Sequence, residues 1–337
     1  MKRLGFLLLI LLHLSCNGQS KKINGVSFVG SKDKALQEHV DPVLRLHANY
    51  AAVMPFGFIK SLKDPNIIFD TERQWFGETK AGGKQYITIL KKNGIKIMLK
   101  PQIWVWQGEF TGDILMTSEE DWKKLEKTYT DFALTYAKLA EETKTEIYCI
   151  GTELEDFVKS RPEFWKSLIA KIRKVYSGKL TYAANWDEYS KTPLWGDLDY
   201  VGVDAYFPLS EKRNPTKVNM REGWQKWKNK LQEVSEENDC PILFTEFGYR
   251  SMDYTAKKPW LVDNGQMKVN LIAQADALQV LFDEFWKEDW FSGGFVWKWF
   301  IHHQTVGGSK NNRFTPQNKP AEATIRSHYG KLKKTSK

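Results

Sequence analysis

Along this chain, short apolar runs rich in β-branched and aromatic residues alternate with longer segments whose apolar positions recur every three or four residues. The short runs predict eight strands, over Gly25–Val29, Tyr50–Pro55, Ile95–Pro101, Glu146–Thr152, Leu180–Ala184, Tyr200–Val203, Ile242–Thr245 and Gly293–Trp297. Among the longer segments, the clearest predicted helix starts at Ser118, with Asp121 three residues on, and carries Trp122, Leu125, Tyr129, Phe132, Tyr136 and Leu139 on one face. A second starts at Pro162 and carries Phe164, Trp165, Leu168, Ile169, Ile172 and Val175, and Gly178 stops it. A third carries Trp224, Trp227, Leu231 and Val234, and a fourth Leu271, Ala275, Leu278, Leu281, Phe282 and Phe285. Strands interleaved with helices in this number, in a chain of this length, predict an α/β fold of one domain, a closed (β/α)8 TIM barrel.

In that architecture the chemistry belongs at the C-terminal mouth of the strands. Two predicted strands deliver a carboxylate there: Glu153 follows Glu146–Thr152, and Glu246 follows Ile242–Thr245. A pair of carboxylates facing each other suits glycoside hydrolysis, in which one group protonates the leaving oxygen while the other acts on the opposite side of the anomeric carbon. Glu246 is expected as the nucleophile, because Gly248 gives a tight exit and lets a substrate approach the backbone. Glu153 is expected as the acid/base, because a charged Glu246 nearby and partial desolvation both raise its proton affinity. Glu155 is the competing candidate, but it falls past the strand end.

Around this pair the pattern places further candidates for sugar contact. Trp297 ends the eighth strand, where its indole is expected under the ring that is cleaved. Tyr206 ends the sixth, where its hydroxyl is expected on Glu246. Lys100 at the end of the third strand, Trp104 in the segment after it, and Asn185 and Trp186 after the fifth complete a polar and aromatic cleft. Asp204 is either a rival polar site or a buried structural carboxylate. Of the 14 Trp, Trp122, Trp165, Trp224 and Trp227 fall on helical apolar stripes and are read as packing residues. Two segments, Gln102–Thr117 and Trp299–Lys319, are long for plain connections and follow strand ends, so they are expected to wall the cleft, with Gly307-Gly308-Ser309 as a mobile lip.

Composition narrows the picture further. The chain has 337 residues, 42% hydrophobic and 27% charged, enough apolar material for one large core. Residues 1–15 stand apart: Lys2-Arg3 precede Leu4–Leu12, an apolar run too short to span a bilayer, which marks an export signal. It ends in Leu14-Ser15-Cys16, a small residue before Cys, so the expected organisation is a lipoprotein signal over 1–15, lipidation at Cys16 with a linker over 16–22, the barrel over 23–333, and a tail over 334–337. The expected location is outside the cytoplasm, tethered by lipid to a bacterial membrane, as a monomer.

The formal net charge of +9 falls to +7 once Lys2 and Arg3 leave with the signal, and the remainder is spread along the chain, which argues against a nucleic-acid site. Cys149 and Cys240 are read as buried thiols. The six His residues show no ligand spacing and no Cys-x-x-Cys occurs, so no metal or cofactor is expected.

Several local strings resemble glycoside hydrolase family 113: Lys100-Pro101-Gln102-Ile103-Trp104, Ile150-Gly151-Thr152-Glu153-Leu154, Tyr200–Pro208, Thr245-Glu246-Phe247-Gly248-Tyr249 and Lys319-Pro320-Ala321. They run from about Phe28 to Ala321. The resemblance implies a retaining β-mannanase of the large clan of barrel glycosidases, acting within β-1,4-mannan or glucomannan, with Glu153 as acid/base and Glu246 as nucleophile. Many members of that clan carry Asn before the acid/base glutamate to hold the sugar 2-hydroxyl, and here Thr152 takes that place. Two alternatives stand beside this reading: a same-clan glycosidase on another β-linked glycan or acting from chain ends, and a glycan-binding lipoprotein without catalysis.

Overall fold

A computed structural model describes residues 22–261 and 267–331. Cys16, the signal and the tail over 334–337 lie outside the described residues. Eight parallel strands close into a barrel: β1 (Ile23–Phe28), β2 (Tyr50–Val53), β3 (Lys96–Leu99), β4 (Ile147–Thr152), β5 (Lys179–Asn185), β6 (Tyr200–Ala205), β7 (Ile242–Phe247) and β8 (Phe291–Trp299), each paired with its neighbours in sequence and β8 returning to β1. Each predicted strand has its counterpart here.

The helices are α1 (Gln37–Arg45), α2 (Lys80–Lys92), α3 (Glu119–Glu142), α4 (Glu155–Ser160), α5 (Pro162–Arg173), α6 (Lys217–Glu237), α7 (Leu271–Phe285) and α8 (Pro320–Lys331). They are not spaced one per connection: α4 and α5 both follow β4, and β5 reaches β6 through a single 3-10 turn at Trp195–Asp197. The Ser118 hydroxyl accepts the Asp121 N–H at 3.1 Å and caps α3 as its sequence predicts. Trp122, Leu125, Tyr129, Phe132, Tyr136 and Leu139 are all buried along it.

Apolar side chains divide by strand alternation into two cores. Ile23, Ala52, Met98, Ile147, Cys149, Ala183, Leu243 and Phe295 fill the barrel interior, while the intervening positions pack outward under the helices. Phe295 lies over its direct partner on the neighbouring strand, Gly25, where an added Cβ would sit 2.3 Å from its ring. Cys149 and Cys240 are buried free thiols.

One element has no counterpart in the sequence reading. Pro55 and Pro101, which carry no N–H for a ladder, end β2 and β3. The chain then continues into a second sheet, in which Phe56–Ile59 pairs antiparallel with Ile68–Phe69 and parallel with Gln102–Val105. Part of the expected loop Gln102–Thr117 is therefore a strand, and Trp104 lies in it. On the other wall, Gly307 and Gly308 fold back on Gln317, whose carbonyl accepts the Gly308 N–H at 3.2 Å, so this stretch is fastened to the segment before α8 instead of forming a lip.

Candidate active site

Strict alternation aims Lys100 and Asp204 at the barrel axis, two residues beyond Met98 on β3 and Gly202 on β6. The two glutamates need more than alternation. Along β7, Phe244 pairs with Val203 and Glu246 with Asp204, so β7 advances two residues while β6 advances one. This one-residue bulge lets Thr245 and Glu246 both face inward. Thr245 donates its hydroxyl to Asp204 Oδ1 at 2.7 Å, and Glu246 joins the cluster beside it. β4 slips in the same way: Cys149 pairs with Thr181 and Thr152 with Ala183, three residues against two. Glu153 follows that slip with a left-handed backbone, φ 50°.

Lys100 is the hub of the cluster. Its ammonium is fully buried and donates to Asp204 Oδ1 and Oδ2 at 3.1 and 3.0 Å and to Glu246 Oε1 at 2.5 Å. Gln102 Nε2 donates to the same Glu246 oxygen at 2.9 Å, and the Tyr206 hydroxyl donates to Oε2 at 2.7 Å. Three donors therefore converge on Glu246, a set that only an acceptor carboxylate satisfies. Burial, with the Glu246 charge behind it, holds the proton on the Tyr206 phenol well above its usual range.

Among the described residues no donor reaches the Glu153 carboxyl. Burial first, then the charges of Asp204 and Glu246, raise its proton affinity well above that of an ordinary glutamate, and Lys100 opposes them. Asp204 is also raised, to about 7, by burial foremost and then by Glu246, against the pull of Lys100. One ammonium shared among three carboxyls leaves the cluster short of positive charge, which favours keeping a proton on Glu153.

The remaining candidates divide. Tyr206 stands on Glu246. Lys100, expected as a cleft contact, instead has its ammonium spent on two carboxylates with no solvent access, so it holds the cluster together and offers nothing to a sugar. Asp204 is the buried structural carboxylate of the two readings given for it. Trp104 is half exposed, on the same face of its strand as Gln102 two residues earlier. Asn185 ends β5 partly exposed, its side-chain oxygen accepting the Trp186 N–H at 2.9 Å.

Trp186 is largely absorbed by packing: Trp260 stacks on it at 4.8 Å and 22°, with Trp227 edge-on at 5.5 Å. Trp297 is partly exposed where β8 gains a residue against β1, Val26 pairing with Val296 and Phe28 with Trp299. Glu155 lies in the first turn of α4, past the strand end. The Thr152 hydroxyl is closed off from solvent beside Cys149, out of reach of a sugar hydroxyl. Gly248 serves packing, since an added Cβ would lie 2.6 Å from the Trp297 carbonyl.

Two site residues escaped the sequence reading. Gln102 sits beyond a proline, and only the second sheet turns it toward Glu246. The Lys298 ammonium lies over the rings of Trp297 and Phe300 at 5.3 and 5.1 Å, close enough to Glu246 to feel its charge while burial lowers its own proton affinity.

A closed (β/α)8 barrel with buried, charge-coupled carboxylates at the C-terminal ends of β4 and β7 belongs to the class of barrel enzymes. The model of Glycoside Hydrolase Family 113 matches residues 30–319, and the chain is a member of that family. No curated protein matches the chain in sequence. Among solved structures, the fold is similar to a GH113 β-1,4-mannanase complex, with a TM-score of 0.80 and 23% identity over 92% of this chain and 99% of that chain. It is also similar to the GH113 β-mannanase AaManA from Alicyclobacillus acidocaldarius, with a TM-score of 0.80 and 22% identity over 92% of this chain and 98% of that one. A β-glucuronidase from Ruminococcus gnavus shares the barrel more distantly, with a TM-score of 0.62 and 13% identity over 90% of this chain and 49% of the other.

Proposed function

We propose that this glycoside hydrolase is a retaining, endo-acting β-1,4-mannanase in which Glu246 is the nucleophile and Glu153 the general acid/base. The observation that carries the assignment is the unequal treatment of the two carboxyls: three donors converge on Glu246, while burial and like charge keep a proton on Glu153. In the first step the Glu246 carboxylate attacks the anomeric carbon as the glycosidic C–O bond breaks, and Glu153 gives its proton to the departing oxygen. In the second, water gives a proton to the Glu153 carboxylate and attacks the same carbon, the bond to Glu246 breaks, and both groups return to their starting states. Mannan as substrate rests on the family and on the two mannanases of similar fold. Endo action is supported by exposed aromatic rings beyond the cluster: Trp104 and Trp106 are 50% and 65% exposed and offer faces for sugar rings outside the cleavage point.

Release of reducing ends from mannan by the purified chain, with products longer than disaccharide appearing first, is the expected result. Glu246→Ala is expected to lower kcat by at least about a thousandfold. Azide should then restore turnover as an α-glycosyl azide, whereas Glu153→Ala with azide should give the β-anomer. Equal release of reducing sugar by wild type and Glu246→Ala would overturn the assignment, and cleavage of xylan or cellulose in preference to mannan would overturn the substrate.

The proposal includes export and lipid attachment at Cys16, supported by the Leu14-Ser15-Cys16 string after the apolar run. Cys16→Ser should move the enzyme from the membrane fraction to the soluble one. A single species at monomer mass in solution is expected of the soluble domain.

A further inference from the structure

Glu153 leaves β4 with φ 50°, a conformation that a side-chain-bearing residue holds only when its surroundings impose it. Two consecutive amides impose it. The Glu153 N–H donates to the Ala183 carbonyl at 2.8 Å, and the Leu154 N–H donates to the Tyr182 phenol oxygen at 2.6 Å. A phenol has one proton to give, and Tyr182 gives it to Glu188 Oε1 at 2.7 Å. The other oxygen of Glu188 accepts the Asn185 N–H at 2.9 Å, which ties the chain of bonds to the end of β5. Leu154, Tyr182 and Glu188 are buried, at 1%, 0% and 2% exposure, so these links are shielded from bulk water.

We propose that Tyr182 and Glu188 are positioning residues: they fix the backbone turn that carries Glu153 and thereby set the direction in which its carboxyl delivers a proton. The inference rests on the reading of Glu153 as proton donor. Burial lifts the Glu188 carboxyl to about 8, so at neutral pH it acts through hydrogen-bond geometry more than through charge. A buried carboxyl without an ion-pair partner is expensive to keep where an apolar side chain would pack. The turn at Glu153 supplies a reason for it.

The test separates proton delivery from general damage by varying the leaving group. Manno-oligosaccharide has a poor leaving oxygen and needs the proton, whereas 2,4-dinitrophenyl β-mannobioside departs without one, and kcat/KM reports this first step for both. Tyr182→Phe is expected to lower kcat/KM on mannotetraose about 10- to 100-fold and to leave the dinitrophenyl substrate within about twofold of wild type. Glu188→Leu should show the same bias, and Glu188→Gln, which keeps one acceptor oxygen, should recover much of the loss. Equal losses on both substrates, or no loss on either, would overturn the proposal. Should Tyr182→Phe not fold, Glu188→Leu read in the same way decides. Glu153→Gln is measured alongside: bias there without bias in Tyr182→Phe sinks only the positioning role, whereas no bias in Glu153→Gln sinks the proton-donor reading itself.

Discussion

Glu153 and Glu246 occupy equivalent places, each just past a one-residue slip at the carboxyl end of a barrel strand, yet the protein surrounds them oppositely. Around Glu246 it gathers an ammonium, an amide and a phenol, all donating. Around Glu153 it gathers burial and negative charge, and no donor among the described residues. The same side chain thus becomes a stabilised anion in one case and a held acid in the other. The difference is made by neighbours drawn from β3, β6 and the second sheet, and by the charge of Glu246 acting on Glu153.

The strongest way to break this asymmetry is to remove its hub. Lys100→Met leaves Asp204 and Glu246 facing each other without the ammonium between them, and breaking a buried ion pair typically costs about 3–5 kcal/mol of stability. Activity on mannan is expected to fall by at least about a hundredfold, with a lower unfolding midpoint in denaturant. Retention of full activity would show that the donor set around Glu246 is dispensable.

A milder cut is Tyr206→Phe, which removes one charge-assisted donor from Glu246 and keeps the ring. A loss of about 1.5–3 kcal/mol in transition-state stabilisation, roughly 10- to 100-fold in kcat, is expected. The acid side of the comparison is sharpened by pH. Because the proton affinity of Glu153 is raised, its protonated form survives into the range where an ordinary glutamate is ionised. The rate should therefore fall only as pH rises through that raised value, giving an alkaline limb well above the range of an ordinary glutamate. Gln102→Leu, which leaves Glu153 untouched, should lower the rate while moving that limb little. A limb that follows Gln102 instead would assign it to another group.

Much of this site is legible in the sequence alone. β-rich runs marked all eight barrel strands, and alternation from Met98 and Gly202 aims Lys100 and Asp204 inward. The slips on β4 and β7 were not legible, because a bulge is a mismatch between two strands and neither strand records it alone. The second sheet was hidden for a related reason: Pro55 and Pro101 read locally as strand ends, and only pairing across some 45 residues, Phe56 with Gln102, restores order beyond them. Tyr182 and Glu188 read as an ordinary strand aromatic and an ordinary loop carboxylate, since their partner Leu154 lies on a different strand's exit. Lys100 was found, but its burial made it a support instead of a contact.

The bulge at Thr245 sets a limit on how this molecule tolerates change in strand register. Loops over its surface can gain or lose residues with little consequence for the chemistry. A β7 that kept every residue but paired regularly with β6 would set Thr245 opposite Asp204 and turn Glu246 toward the helices. At this strand a better-made barrel and a working enzyme are alternatives, and the irregular version is the one that places a carboxylate at the mouth.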